Sequence, residues 1–213
     1  NGLHLTVAET GWGKASWGKI YGQWLCGCGV MVYDFDIFSP EKLLKVIEDF
    51  KVTSFCAPPT VYRYFIKKDI KKFDLSHLEH ITTAGEALNP EVFEQVHKQT
   101  GLQIMEGFGQ TESVLMLGNL VGSTAKIGSL GKPTPLYNIM IADNEGNRLP
   151  ANEVGEIVVI PSENQHGIFM GYCGNEDLYA NVWKYGIYHT GDTAYMDDDG
   201  YYWYVGRIDD LIK

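Results

Sequence analysis

The chain has 213 residues, 45% of them hydrophobic and 21% charged, the balance of a globular protein with length for one large core or two small ones. A net charge of -10 argues against a nucleic-acid surface, which needs clustered Lys and Arg to displace counterions. No apolar run approaches the ~20 residues of a membrane helix, and no basic segment followed by a long apolar stretch opens the chain as a signal peptide would.

Cys26 and Cys28 form a C-x-C pair with no second ligand pair nearby, which argues against zinc. With Cys56 and Cys173 they read as reduced thiols, and the protein is therefore expected to be cytoplasmic. The missing initiator Met and the stop at Lys213, just past an apolar run, read as two cut points.

In chain order, the aromatic-rich stretch Gly11–Gly27 suits a helix and Val30–Phe35 a short strand. Ser39-Pro40-Glu41 opens a helix: Ser as N-cap, Pro at the first helical position, an acid in the first turn. Leu43, Leu44, Val46, Ile47 and Phe50 give that helix an apolar face. Thr53–Ala57 reads as a buried strand ended by Pro58-Pro59, Val61–Ile70 as a helix, and His80–Thr83 as a strand. Asn89-Pro90-Glu91 repeats the helix-start chemistry for Val92–Thr100, which Gly101 ends. Leu102–Met105 is a further strand.

Strands alternating with helices over short connections predict an α/β layer with a mostly parallel sheet. Beyond about Gly128 the pattern changes to Glu156–Ile160 and Tyr201–Val205 as strands, with turns at Asp143–Gly146 and Asp197–Gly200. The expected organisation is an α/β part over 1–128, a small antiparallel, β-barrel-like part over 129–205, and a terminal motif over 206–213.

Four short segments place glycine beside polar groups where a loop should follow a strand, the position at which open parallel sheets bind ligands. Thr82–Ala87 contains Gly85, which lets backbone approach a flat ligand. In Glu106–Glu112, Phe108 lies between Gly107 and Gly109 and can present a stacking face; Thr111 can donate to a phosphate oxygen and Glu112 can hold Mg²⁺. In Tyr188–Asp192 the acid can accept from a ribose diol. His189 beside it reads as structural and receives no catalytic role. In Gly206–Lys213, Arg207 offers a planar donor fork for ribose or phosphate oxygens.

In this order and spacing the strings TTAGEAL, GFGQTE, YHTGD and GRIDDLIK resemble the adenylate-forming superfamily, which includes acyl-CoA synthetases, luciferases and peptide-synthetase adenylation domains. The likeness runs from about Leu3 to Lys213 and is strongest to the acetyl and medium-chain acyl-CoA synthetases. It implies part of a large AMP-binding domain, with a further C-terminal domain beyond Lys213.

It implies that Gly85, Glu86 and Ala87 line the adenine site by their backbone, that Phe108 stacks on the base, and that Glu106 sits near the adenine amino group. Gly107, Gly109 and Gln110 complete that nucleotide segment. Thr111 is then the α-phosphate contact, Glu112 the Mg²⁺ carboxylate, Asp192 the ribose ligand with Tyr204 and Arg207 beside it, and Asp209 the hinge. The implied reaction joins a carboxylic acid to ATP as an acyl-adenylate, then passes the acyl group to coenzyme A with release of AMP.

The family's Ser/Thr/Gly-rich phosphate loop is absent. Gly122–Lys126 is similar to it but lies after GFGQTE, in the wrong order. By the same resemblance Gly13, Lys14, Ala84 and Gly109 line the acyl pocket. Acetate-specific relatives carry Trp where Gly109 stands. Each methylene buried in the freed space is worth ~0.8 kcal/mol, so a medium-chain or small aromatic acid is expected, and Gly109→Trp is expected to shift preference toward acetate.

The rival within the superfamily is amino-acid adenylation, disfavoured because Gly11–Gly18 lacks the carboxylate that would pair a substrate ammonium. The rival of another class is a non-catalytic nucleotide-binding module, which would need the polar set Thr111, Glu112, Asp192 and Arg207 to be lost.

Overall fold

The computed structural model describes residues 2–163 and 166–209. The chain divides into two compact units, Asn1–Glu106 and Gly107–Lys213.

The first unit is an α/β layer. β1 (Leu3–Thr6) is followed by a wide-turned π-type helix (Lys14–Tyr21) and a single turn, α1 (Gly22–Leu25). Then come β2 (Gly29–Met31), α2 (Pro40–Asp49), β3 (Ser54–Cys56), α3 (Pro59–Phe65), a short 3-10 turn (Ile70–Lys72), β4 (His80–Thr83), α4 (Pro90–Thr100) and the start of β5 (Ile104–Gly109). Every pairing in this unit is parallel, in the order β2-β1-β3-β4-β5. The parallel direction follows from the helical crossover that separates successive strands along the chain.

Local chemistry sets the helix ends. Ser39 Oγ accepts the Lys42 amide at 3.3 Å and Asn89 Oδ1 accepts that of Glu91 at 2.8 Å, each with proline next in line. Gly101, at φ +76°, ends α4 in the left-handed conformation. Leu43, Leu44 and Ile47 of α2 and Val92, Phe93 and Val96 of α4 bury the helix faces against Leu5, Phe55, Ile81 and Ile104 of the strands. Pro59, expected to end a strand, instead occupies the first turn of α3, where its missing N–H costs nothing. The strand expected over Val30–Phe35 is limited to Gly29–Met31.

The second unit is antiparallel. Gly107–Gly109 of β5 pair with β6 (Leu115–Gly118), and β6 with β7 (Lys132–Pro133). β8 (Asn138–Ala142), β9 (Gly155–Ile160), β10 (Tyr188–Met196) and β11 (Tyr202–Arg207) form a four-stranded sheet in the order β11-β10-β9-β8, with α5 (Glu176–Val182) inserted before β10. Met116, Leu117, Ile139, Ile141, Ile157, Val159, Tyr188 and Tyr202 fill its core. Both predicted turns form around an aspartate. Asp143 Oδ1 accepts the amides of Glu145 and Asn147, and Asp197 Oδ1 those of Asp199 and Tyr201. The fold class expected from the sequence, α/β with a mostly parallel sheet followed by an antiparallel part, is the one observed.

The ligand segments differ from expectation in one respect. Gly107–Gly109, Tyr188–Asp192 and Arg207 were expected in loops after strands, but they lie inside β5, β10 and β11. The first two instead leave regular pairing through register shifts, between Phe108 and Gly109 and between His189 and Thr193. The last residues of the GRIDDLIK motif, Asp210–Lys213, lie outside the described residues.

Candidate functional site

In the second unit three sequence-distant motifs meet at one carboxylate. Between His189, opposite Val158, and Thr193, opposite Glu156, β10 holds Thr190, Gly191 and Asp192 against the single residue Ile157 of β9. The resulting bulge takes Asp192 out of register with β9 while it stays paired with Arg207 of β11, and Gly191 turns there at φ +73°.

Asp192 is only 5% exposed, and both its oxygens are held. Oδ2 accepts Gln110 Nε2 at 2.6 Å and an Arg207 guanidinium N–H at 3.1 Å; Oδ1 accepts the Tyr204 hydroxyl at 3.1 Å. Burial pushes the Asp192 carboxyl above its ordinary range, opposed by the Arg207 charge and by the hydrogen bonds from Tyr204 and Gln110. Gln110 and Arg207 also both donate to the Thr190 carbonyl, at 2.8 and 3.1 Å, and Tyr188 donates to Gln110 Oε1 at 2.8 Å. The Phe108 ring lies 6.5 Å from that of Tyr204, tilted by 37°.

A cleft of about 460 Å³ opens beside this cluster, with Gln110, Glu112, Tyr172, Tyr188, Thr190 and Arg207 in its wall. Glu112 Oε1 accepts the Tyr172 hydroxyl at 2.9 Å. Burial and the neighbouring Glu112 push the Tyr172 phenol up to about 12, so it stays a donor at neutral pH. Among the described residues no group of three or more His, Cys, Asp or Glu side chains is placed to hold a metal. Thr111 is exposed at the start of the turn after β5, and Asp209 is exposed 3.9 Å from Arg207.

The first unit carries the other predicted residues. Gly85, at φ +97°, Glu86 and Ala87 form an exposed turn after β4. The Glu86 carboxylate is engaged by Thr60 at 2.8 Å and Arg63 at 3.0 Å. Gly13 is buried at the start of the π-type helix. Lys14 is half-buried and donates to the Ala84 carbonyl at 3.1 Å; burial draws its amine below the ordinary range. It is not the solvated surface lysine that its type suggests.

Glu106 is 4% exposed. Its Oε1 accepts the Leu88 amide at 3.0 Å, while Oε2 is buried and unpartnered within the protein. Burial raises its carboxyl to about 7.

One sequence reading changes. A Cβ at Gly109 would lie 2.4 Å from the Val114 carbonyl oxygen, so this glycine is required by close backbone approach. Gly109→Trp therefore displaces the β5–β6 pairing and is no clean exchange of acyl preference. Lys126, of the loop already rejected as a phosphate cradle, binds Asp197 at 2.8 Å and also Asp199, a structural tie between turns. Sequence reasoning missed Tyr172 and Glu156, whose partners lie 60 and 35 residues away and leave no local signal.

The sequence matches the AMP-binding enzyme family over residues 12–173. The chain belongs to that family. Mitochondrial acyl-coenzyme A synthetase ACSM3 of Rattus norvegicus is 41% identical over 207 residues, covering 97% of this chain and 36% of that protein. Mitochondrial ACSM4 of Homo sapiens is 41% identical over the same shares. The crystal structure of the anthranilate CoA ligase AuaEII in complex with anthranoyl-AMP superimposes with a TM-score of 0.91 at 29% identity, covering 100% of this chain and 40% of that one. The Brucella canis acyl-CoA synthetase superimposes at 0.87 with 28% identity, over 99% and 39%.

The chain thus spans 36% of the length of these curated relatives. Those relatives are mitochondrial, which overturns the cytoplasmic placement expected above. Free cysteines, on which that expectation rested, do not tell one compartment from another. No helix among the described residues is long and apolar enough to cross a membrane.

Proposed function

We propose that this chain is the nucleotide-binding part of an AMP-forming acyl-CoA synthetase. The observation that carries the reading is Asp192: a buried carboxylate fixed by Gln110, Tyr204 and Arg207, of which Gln110 and Arg207 line a polar cleft. Such an acid costs stability to bury, and a ribose diol uses it as acceptor.

Asp192 takes the ribose hydroxyls, with Arg207 and Tyr204 alongside. Phe108 stacks on the base. Thr111 donates to the α-phosphate, and Gly107, Gly109 and Gln110 shape that segment. Glu112, oriented by Tyr172, holds Mg²⁺, which neutralises phosphate charge when bound. In the first unit, the Gly85–Ala87 backbone lines the adenine site and the unpartnered Glu106 Oε2 accepts from the adenine amino group. Gly13, Lys14, Ala84 and Gly109 border the acyl group. Asp209 marks the hinge to a C-terminal domain that supplies further groups; residues 1–128 and 129–205 are the α/β and β-rich parts of one AMP-binding domain.

The chemistry is a carboxylate attacking the α-phosphate of ATP, with pyrophosphate leaving, and then coenzyme A thiol attacking the acyl carbon, with AMP leaving. The protein contributes orientation and charge stabilisation. The acid is a medium-chain or small aromatic carboxylate, in keeping with the anthranilate ligase among the structural neighbours. The mitochondrial relatives support a mitochondrial setting.

The test is acid-dependent pyrophosphate release by the intact parent protein across acetate, butyrate, hexanoate, octanoate and benzoate. No acid-dependent release overturns the ligase reading, and a sharp optimum at acetate overturns the acyl assignment alone. The 213-residue chain by itself is expected to form no measurable acyl-CoA.

A further inference from the structure

The bulge that projects Asp192 breaks the β9–β10 ladder, so its polar backbone needs partners from elsewhere. The Gly191 carbonyl accepts the Ile208 amide at 2.9 Å, and the Asp192 amide is covered by Thr190 Oγ1 at 3.1 Å. Thr190 Oγ1 in turn donates to the Ile157 carbonyl at 2.7 Å. The Gly191 amide is held by a side chain: Glu156 Oε1, at 2.8 Å. The second oxygen of the same carboxylate, Oε2, meets His189 Nδ1 at 2.7 Å. Glu156 and His189 are 14% and 12% exposed at their side chains, and both lie in the wall of the cleft.

One carboxylate therefore grips the bulge at two points, His189 where β10 leaves the ladder and Gly191 at its left-handed turn. A carboxylate bridging two donors is stronger than either neutral contact alone and fixes the bulge in one shape. Because Asp192 follows Gly191 directly, the orientation of its oxygens depends on that shape.

We propose that Glu156, with His189, is a positioning residue that holds the bulge so that Asp192 is preset for the ribose hydroxyls before nucleotide arrives. Neither side chain touches the reacting atoms; both act through Asp192. The inference rests on the nucleotide-binding reading of Asp192.

The test uses the intact parent protein, with ATP and acid KM measured separately and AMP affinity measured by calorimetry. Glu156→Ala is expected to raise the ATP KM and the AMP Kd about tenfold, the size of one lost charged hydrogen bond, and to leave the acid KM unchanged. Glu156→Gln retains an acceptor for the Gly191 amide and is expected to recover most of the loss. A purely structural role would lower the active fraction and leave both KM values alone. Should Glu156→Ala not fold, His189→Phe carries the test, with a severalfold rise in ATP KM expected. An unchanged ATP KM in these variants, while Asp192→Ala raises it, overturns the positioning role. An unchanged ATP KM in Asp192→Ala itself overturns the underlying reading instead.

Discussion

Glu106→Gln is expected to change how stability depends on pH. Burial raises the Glu106 carboxyl from its ordinary 4.5 to about 7 in the folded protein. A group whose folded value is raised contributes stability that is complete below about 4.5 and is lost as pH rises through about 7. The gap corresponds to about 3 kcal/mol in total, of which roughly 2.5 kcal/mol is lost between pH 5 and pH 8.

His4 acts in the opposite sense. Burial, with His80 and Lys19 nearby, lowers its imidazole from 6.5 to about 4. Its ring nitrogens meet Ser54 Oγ at 2.7 Å and Thr6 Oγ1 at 2.5 Å. The stability tied to neutral His4 is complete above about 6.5 and is lost as pH falls toward about 4, roughly 2 kcal/mol between pH 8 and pH 5. In the native chain this slope opposes that of Glu106.

Replacing Glu106 by Gln keeps an oxygen for the Leu88 amide and removes the ionisation. The stability of the variant relative to the native chain should therefore rise by roughly 2.5 kcal/mol from pH 5 to pH 8. The assay is urea unfolding of both proteins at each half pH unit, read as the difference between them. That difference cancels the constant cost of burying an amide and all titrations they share. A difference that does not vary with pH refutes the reasoning, because it would mean that Glu106 ionises as freely in the folded chain as in the unfolded one.

Arg207→Lys should raise the ATP KM of the parent about tenfold, because a point charge cannot reproduce the paired donation to Asp192 and the Thr190 carbonyl; thermal stability should barely change, since the side chain is 41% exposed. Gly109→Ala should destabilise the chain by about 1–3 kcal/mol in urea unfolding, because its Cβ meets backbone at Val114 that no side-chain rotation can clear. Ser39→Ala should cost about 1 kcal/mol through loss of the cap on the Lys42 amide, with nucleotide affinity unaffected.

Local chemistry made much of the first unit readable. Ser39-Pro40 and Asn89-Pro90 start helices because capping and fixed φ act within a few residues, and Gly101 ends one because only its backbone accepts the left-handed turn cheaply. The same holds for the aspartate turns at Asp143 and Asp197. The motif residues could be named for the same reason: Phe108, Thr111, Glu112, Asp192 and Arg207 are chemically distinctive within short strings.

The tertiary structure decided what those residues are attached to. Gln110 reaches Asp192 across 82 residues, Tyr172 reaches Glu112 across 60, and Glu156 reaches Gly191 across 35. Glu106 looks in sequence like any solvated acid, and burial alone moves its carboxyl to about 7. Local conformation is set by neighbours along the chain, whereas the charge state and orientation of a site depend on solvent exclusion and on donors brought from distant strands, which exist only once the sheet has formed.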